Sequence, residues 1–81
     1  MLESATAFAV LSPVLSIVVN GAPHVCRDER STVADLMREL ALTGKRVAVE
    51  KNGEIVPRSR YEESPLAAGD RLEIIAAVGG G

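Results

Sequence analysis

The chain has 81 residues, a formal net charge of −2, 2% aromatic residues and one cysteine. That length fits one domain, and the nearly balanced charge with so few aromatic residues excludes the basic stripe and stacking surface that nucleic-acid binding needs. A single cysteine cannot form an internal disulfide, so we expect a cytoplasmic protein in a reducing compartment.

The first 14 residues are predicted to be an N-terminal extension. The apolar segment ATAFAVLSPVLSIVV, residues 5–19, is shorter than the roughly 20 residues of a membrane-spanning helix, and Pro13 interrupts it. A signal peptide would carry a basic flank, whereas this segment has Glu3. We therefore expect a flexible extension over residues 1–14, no membrane association, and a folded domain over residues 15–76.

The domain is predicted to begin with a hairpin. SIVVN, residues 16–20, alternates between two faces with the period of a strand. Asn20-Gly21 follows, and Asn-Gly is the strongest short hairpin signal. HVCR, residues 24–27, then predicts a short return strand.

STVADLMREL, residues 31–40, is the one clear helix in the sequence. Thr32 can cap its first turn, and Asp35 three residues later makes a weak version of the capping box. We expect Gly44 to end the helix in the left-handed conformation. An apolar stripe at helical spacing must rest on a sheet, and its members are Val33, Leu36, Met37 and Leu40.

The remaining elements predict strands joined by turns. RVAVEKNG, residues 46–53, alternates as a strand and ends in a second Asn-Gly turn. EIVPRSRYEESPL, residues 54–66, carries two prolines and mixed charge, so we predict a short strand and an irregular loop. After the AGD turn, RLEIIAAV at residues 71–78 is apolar enough to lie deep within the sheet. This order predicts an α+β fold, a ubiquitin-like β-grasp with a mixed sheet of four to five strands and one main helix packed across one face.

The sequence carries no recognisable catalytic or cofactor-binding pattern. His24 is the only histidine and Cys26 the only thiol, and two ligands alone make a poor metal site. A half-buried strand thiol is the simpler interpretation of Cys26 than an activated thiolate. The glycines at 79–81 are not followed by the helix that a phosphate-binding loop requires. We therefore predict no bound cofactor, no metal and no enzymatic activity.

The last residues, 77–81, are predicted to form a flexible glycine tail. Because glycine has no Cβ, Gly79 and Gly80, with Val78 before them, can enter a channel too narrow for other residues. An ionised carboxylate, whose pKa is about 3.5, is a poor electrophile until it is activated, for example as an acyl-adenylate. If the Gly81 carboxylate takes part in a reaction, a separate enzyme must activate it, because this chain has no recognisable nucleotide site. The alternative is a frayed end without a function.

Entry of such a tail into a partner requires a docking surface on the folded body. Fixing each glycine costs about 1–2 kcal/mol, and contacts elsewhere must offset that cost. We predict that Ala48 and Ile75, on the outward sheet face, and Arg58 and Arg60, in the loop, belong to this surface. The alternative is an ordinary exposed surface.

The second half of the chain resembles the sulfur carrier protein family of thiamine biosynthesis. The matching motifs are NGEIVPRS at 52–59, LAAGDRLEII at 66–75 and the terminal VGGG at 78–81. Tyr61 stands where the family often has an aromatic residue, and VVNG and STVADLMREL fit the family's first hairpin and helix. The resemblance covers residues 17–81, and the N-terminal extension departs from it.

This resemblance implies that the Gly81 carboxylate is adenylated by an ATP-dependent enzyme similar to the ubiquitin-activating enzymes. Sulfur from a cysteine-derived persulfide then converts it to a thiocarboxylate, which delivers sulfur to thiazole synthase. The chain would be a protein co-substrate and not an enzyme, and only its partner would use ATP.

Two related functions stay open at this point. The small subunit of molybdopterin synthase resembles this chain in fold and in its Gly-Gly end, but its members typically carry a proline-rich loop where this chain has SPLAAGD. A ubiquitin-like modifier would be joined to lysines through Gly81. A plain interaction domain with an unused tail is a third possibility.

Overall fold

The computed structural model describes residues 14–76. The predicted tail at 77–81 and nearly all of the predicted extension lie outside this range. No helix among the described residues is long and apolar enough to cross a membrane. The elements in chain order are β1 (Leu15–Val19), β2 (Ala22–Cys26), α1 (Val33–Glu39), β3 (Val47–Lys51), β4 (Glu54–Val56), a 3-10 helix (Arg58–Glu63) and β5 (Arg71–Ala76).

The five strands form one mixed sheet in the order β2-β1-β5-β3-β4. β1 runs parallel to β5, and the other neighbouring pairs are antiparallel. The last strand in sequence therefore lies at the centre of the sheet, as its apolar composition predicted. A mixed five-stranded sheet with one main helix confirms the predicted fold class.

Both hairpins close with the Asn-Gly turns that the sequence predicts. Asn20 and Asn52 have φ angles of 50° and 53°, and Gly21 and Gly53 have φ angles of 84° and 89°. Two successive positive φ angles are the signature of a type I′ turn, whose twist matches that of the flanking strands. β2 begins directly after the first turn, two residues earlier than the predicted return strand.

α1 begins where the capping pattern predicts. The Thr32 hydroxyl accepts a hydrogen bond from the Asp35 backbone N–H at 3.2 Å, and the Asp35 carboxylate accepts one from the Thr32 backbone N–H at 2.9 Å. This reciprocal pair is a complete capping box. The Thr32 backbone hydrogen bond lowers the pKa of Asp35. The stabilisation from the Asp35 carboxylate is therefore fully present above the unfolded-state pKa and is lost as the pH falls through the folded-state value.

The prediction that Gly44 ends the helix is wrong. α1 ends five residues earlier, and Ala41 takes the left-handed conformation with φ 59°. The Ala41 N–H donates to the Arg38 carbonyl at 3.1 Å and the Leu42 N–H to the Met37 carbonyl at 2.8 Å, which is the Schellman motif. Gly44, at φ 81°, belongs to the next turn. No glycine in the sequence marks the true end of the helix. An alanine occupies the left-handed position, although its Cβ makes that conformation strained.

We expect Ala41→Gly to stabilise the domain by about 0.5–1 kcal/mol, because glycine adopts this φ without the steric strain of a Cβ. For a domain of this size, that gain corresponds to an unfolding midpoint higher by about 3–6 °C. Gly44→Ala is the matched control and should lower the midpoint, since it introduces the same strain. Thermal unfolding followed by circular dichroism measures both. A lower midpoint for Ala41→Gly would contradict the strain at residue 41.

The segment after β4 is more regular than predicted. Residues 58–63 form a 3-10 helix where we expected an irregular loop. The following residues are bonded to the start of α1, because the Val33 N–H donates to the Ser64 carbonyl and the Leu66 N–H donates to the Ser31 carbonyl, both at 2.9 Å. These tertiary bonds, which no local pattern reveals, fix the segment.

The core lies between α1 and the inner face of the sheet. Three of the four predicted stripe residues are buried, and Leu40 is partly buried against them. Leu36 from the helix and Leu72 from β5 are both 0% exposed. The central strand is thus held by packing as well as by its neighbours. The buried cluster consists of Leu15, Ile17, Cys26, Val33, Leu36, Met37, Val49, Val56, Leu66 and Leu72.

Candidate functional site

The predicted site divides into a tail and a docking surface. The tail residues Val78, Gly79, Gly80 and Gly81 lie outside the described residues. The structure does describe the strand that leads to them, since β5 ends at Ala76.

The outward face of the sheet carries the predicted apolar pair beside the end of β5. Ile75 in β5 lies directly opposite Ala48 in β3. Both side chains are exposed, and Ile75 is 55% exposed. The strand pairing therefore places these two residues side by side, one position before the last residue of the strand.

The two predicted arginines lie in different places. Arg58 lines the same surface hollow as Ala48 and Ile75. Its guanidinium donates a hydrogen bond to the Lys45 carbonyl at 3.0 Å, which fixes the side chain. Arg60 instead lines a separate hollow beside β4. The structure thus brings three of the four predicted surface residues together, and Arg60 is not among them.

Three charged residues of this surface were not singled out from the sequence. Arg46 lines the hollow together with Arg58. Glu50 in β3 lies directly opposite Glu73 in β5, and like charges at opposed positions repel. Strand alternation alone could have placed each glutamate on the outward face. The pairing of Glu50 with Glu73 could not be predicted from either strand alone, because it depends on the register between β3 and β5 in the folded sheet.

The asparagines of both turns are bonded to β5 through their side chains. Asn20 Oδ1 accepts from the Ile74 N–H at 2.7 Å, and its Nδ2 donates to the Ile74 carbonyl at 3.2 Å. Asn52 Oδ1 accepts from the Arg71 N–H at 2.9 Å, and its Nδ2 donates to the Asp70 carboxylate at 3.0 Å. The sequence indicated these asparagines only as turn residues.

The structure adds a third polar residue to the His24 and Cys26 pair. His24 Nε2 lies 3.0 Å from Glu39 Oε1, and the ligand atoms of all three residues lie within 4.8 Å of one another. The bond between His24 and Glu39 already engages one ring nitrogen and one carboxylate oxygen of this group. Glu39 Oε2 also accepts from the Arg27 N–H at 3.2 Å, so these bonds tie β2 to the end of α1.

The Cys26 thiol is poorly suited to nucleophilic chemistry. It is 0% exposed, so it is fully buried and not half-buried as expected. Burial and, secondly, the Glu39 carboxylate raise the pKa of Cys26. The thiol is therefore neutral at pH 7, whereas a nucleophilic cysteine reacts as the thiolate.

Comparison with known families and structures gives a consistent result. The sequence model of the ThiS family matches residues 17–81. The crystal structure of the thiamine biosynthesis protein (ThiS) from Geobacter metallireducens is similar with a TM-score of 0.71 at 32% identity, covering 83% of this chain and 100% of that chain.

Two curated relatives are similar over most of the chain. The sulfur carrier protein ThiS of Bacillus subtilis is 38% identical over 63 residues, which cover 78% of this chain and 96% of that protein. A thiazole synthase of Paramagnetospirillum magneticum is 42% identical over 72 residues, which cover 83% of this chain. This chain spans only 20% of the length of that thiazole synthase.

Proposed function

The chain belongs to the ThiS family of sulfur carriers for thiamine biosynthesis, and from this premise we propose that the Gly81 carboxylate is the group that carries the sulfur. A partner enzyme joins this carboxylate to AMP from ATP and releases pyrophosphate. A persulfide sulfur derived from cysteine then attacks the acyl carbon and AMP leaves. Reductive cleavage of the resulting acyl disulfide by a thiol leaves the thiocarboxylate.

The observation that carries this proposal is the family match, which runs through the glycines to residue 81. It favours the thiamine pathway over the small subunit of molybdopterin synthase. The chain acts as a protein co-substrate, with no cofactor of its own. The buried, neutral thiol of Cys26 agrees with a body that presents a reactive end but does no chemistry itself.

We propose that the acceptor of the sulfur is thiazole synthase. In the relative from Paramagnetospirillum magneticum, a protein named thiazole synthase contains a segment similar to this chain. A carrier and an acceptor that share one polypeptide in one organism are expected to meet when they are separate chains. The other partner is an adenylyltransferase similar to the ubiquitin-activating enzymes, and the free Cys26 agrees with a site of action in the cytoplasm.

The partners dock on the outward sheet face around Ile75, Ala48 and Arg58. These residues line one hollow beside the end of β5. A partner that contacts this hollow lies next to the strand from which residues 77–81 continue. Contact there offsets the cost of fixing the tail in the partner's active site.

Ile75→Asp is expected to raise the KM of the adenylation reaction for this chain about tenfold or more, because it puts a charge into the apolar centre of the contact. The Tm should change little, since the side chain is exposed. Val25→Asp is the matched control, because Val25 is 54% exposed and lies on the edge strand β2 of the same sheet. Steady-state adenylation kinetics measure both variants. An equal effect in both would contradict this docking surface.

The test of the function is the intact mass of the protein purified from its host while the host is making thiamine. Replacement of one terminal oxygen by sulfur is the expected result. Heavier conjugates to lysines of other proteins would instead identify a modifier. An unaltered chain end in cells that make the vitamin would overturn the proposal.

A further inference from the structure

We propose that Asn20 is a positioning residue for the carrier reaction, because its side chain holds the end of β5 at the point from which the tail continues. This inference rests on the proposed function of Gly81. It assigns to a hairpin turn, far from the tail in sequence, a part in presenting the chain end to partners.

The pairing between β1 and β5 ends before β5 does. Val18 pairs with Arg71 and Val19 with Leu72, and β1 stops at Val19. The backbone of Asn20 makes one more bond, from its N–H to the Leu72 carbonyl at 2.8 Å, and then turns away with φ 50°. No strand backbone of β1 is left to pair with the second half of β5.

The Asn20 side chain takes the place of the missing strand residue. Its carboxamide satisfies both backbone groups of Ile74, accepting from the N–H at 2.7 Å and donating to the carbonyl at 3.2 Å. The oxygen and one N–H of a carboxamide lie on the same side of the group, so one side chain can bond both the N–H and the carbonyl of a single strand residue. Asparagine also tolerates a positive φ better than most residues, so it suits both tasks at this position.

The bonds from Asn20 determine whether the end of β5 is held from one side or from two. On the β3 side, Ile75 pairs with Ala48 and Ala76 with Val47. On the β1 side, the bonds to Ile74 are the last that the structure describes. Without them, residues 74–76 are held from one side only, and strand ends held in this way open more often.

Opening of residues 74–76 would affect the reaction at Gly81 through positioning. Each released residue adds backbone freedom that must be lost again when the partner fixes the carboxylate. When the strand end moves, the position of the Gly81 carboxylate relative to the docked body is less well defined. Small displacements of a reacting group reduce rates steeply. The folded body would remain intact.

Asn52 provides a matched control within the same chain. It occupies the same position of a type I′ turn, with φ 53°, and its side chain also makes two hydrogen bonds near β5. Those bonds go to Asp70 and Arg71, at the beginning of the strand. The two asparagines thus differ in which end of β5 they hold.

The experiment compares Asn20→Gly with Asn52→Gly in the full chain. Glycine keeps either turn, because it takes positive φ freely, and removes only the side-chain bonds. The reaction is thiocarboxylate formation with the activating enzyme, ATP and a persulfide donor, followed as kcat/KM. Amide hydrogen exchange at residues 74–76 and the Tm are measured on the same samples.

For Asn20→Gly we expect kcat/KM to fall roughly tenfold and exchange at Ile74 to rise by a similar factor, while exchange in α1 stays unchanged. Asn52→Gly should load sulfur close to the wild-type rate at a comparable Tm. Asn20→Asp keeps the acceptor and loses the donor, so its kcat/KM should lie between those of wild type and Asn20→Gly.

Equal loading by the two glycine variants, or unchanged exchange at Ile74 in Asn20→Gly, would overturn the role of Asn20 alone. Failure of the wild-type chain to form a thiocarboxylate would overturn the proposed function and this inference with it. The two failures are therefore distinguishable.

Discussion

Deletion of Gly81 is expected to abolish thiocarboxylate formation while leaving the Tm unchanged. The new terminal carboxylate would be about 3.3–3.6 Å short of its place in the partner's active site, and a displacement of roughly 1 Å already costs about a hundredfold in rate. Among the described residues, the buried core lies within residues 15–72, and β5 continues beyond it to Ala76. Intact mass after reaction with the activating enzyme and a persulfide donor measures the loss.

Two further variants separate chain length from side-chain bulk. Gly81→Ala keeps the length of the chain and adds one methyl group, so loading of this variant but not of the truncated chain would show that the position of the carboxylate is what matters. Gly80→Val should block entry into a narrow channel, because it adds a β-branched side chain next to the reacting residue. Normal loading of the truncated chain would refute the role of Gly81. A large fall in Tm on truncation would show that the tail supports the fold.

Leu36→Ala is expected to destabilise the domain by about 2–5 kcal/mol, the usual cost of removing a fully buried leucine side chain. Leu36 is 0% exposed and lies in the centre of α1. A helix of seven residues cannot form by itself and depends on this packing. The Tm should fall by roughly 10–30 °C, which leaves little folded protein at growth temperature.

Ile55→Ala is the control for this prediction. Ile55 is of similar size, but it is 63% exposed on the edge strand β4. Its replacement should change the free energy of unfolding by no more than about 0.5 kcal/mol. Urea unfolding followed by circular dichroism measures both variants. A similar loss in the two would mean that the core is not centred on the contact between α1 and the sheet.

The parts of the fold that were predicted from sequence are those encoded by a few adjacent residues. The two Asn-Gly turns are local signals, and so is the capping box of Thr32 and Asp35. The helix end was predicted wrongly because Ala41 takes a conformation that its residue type disfavours. The 3-10 helix at residues 58–63 was missed because bonds to the start of α1 fix the segment that follows it.

The candidate site shows the same division. The alternation of each strand predicts that Ala48 and Ile75 point outward, but only the register sets them opposite each other. Arg58 and Arg60 are two residues apart in sequence and lie in different hollows, because the 3-10 helix turns them apart. Asn20 is 54 residues from its partner Ile74, and no pattern in the turn indicates that contact.

The central position of β5 has a mechanical consequence. Traction on residues beyond Ala76 by an enzyme that grips them would act along β5, which is bonded to β1 on one side and to β3 on the other. Such a load shears the row of hydrogen bonds to β3 together with the shorter row to β1, so the bonds on both sides must break before the strand slides. The same load along the edge strand β4 would be opposed by a single row of hydrogen bonds, those to β3. We therefore expect the folded body to withstand repeated loads on its chain end better than a domain whose tail leaves from an edge strand.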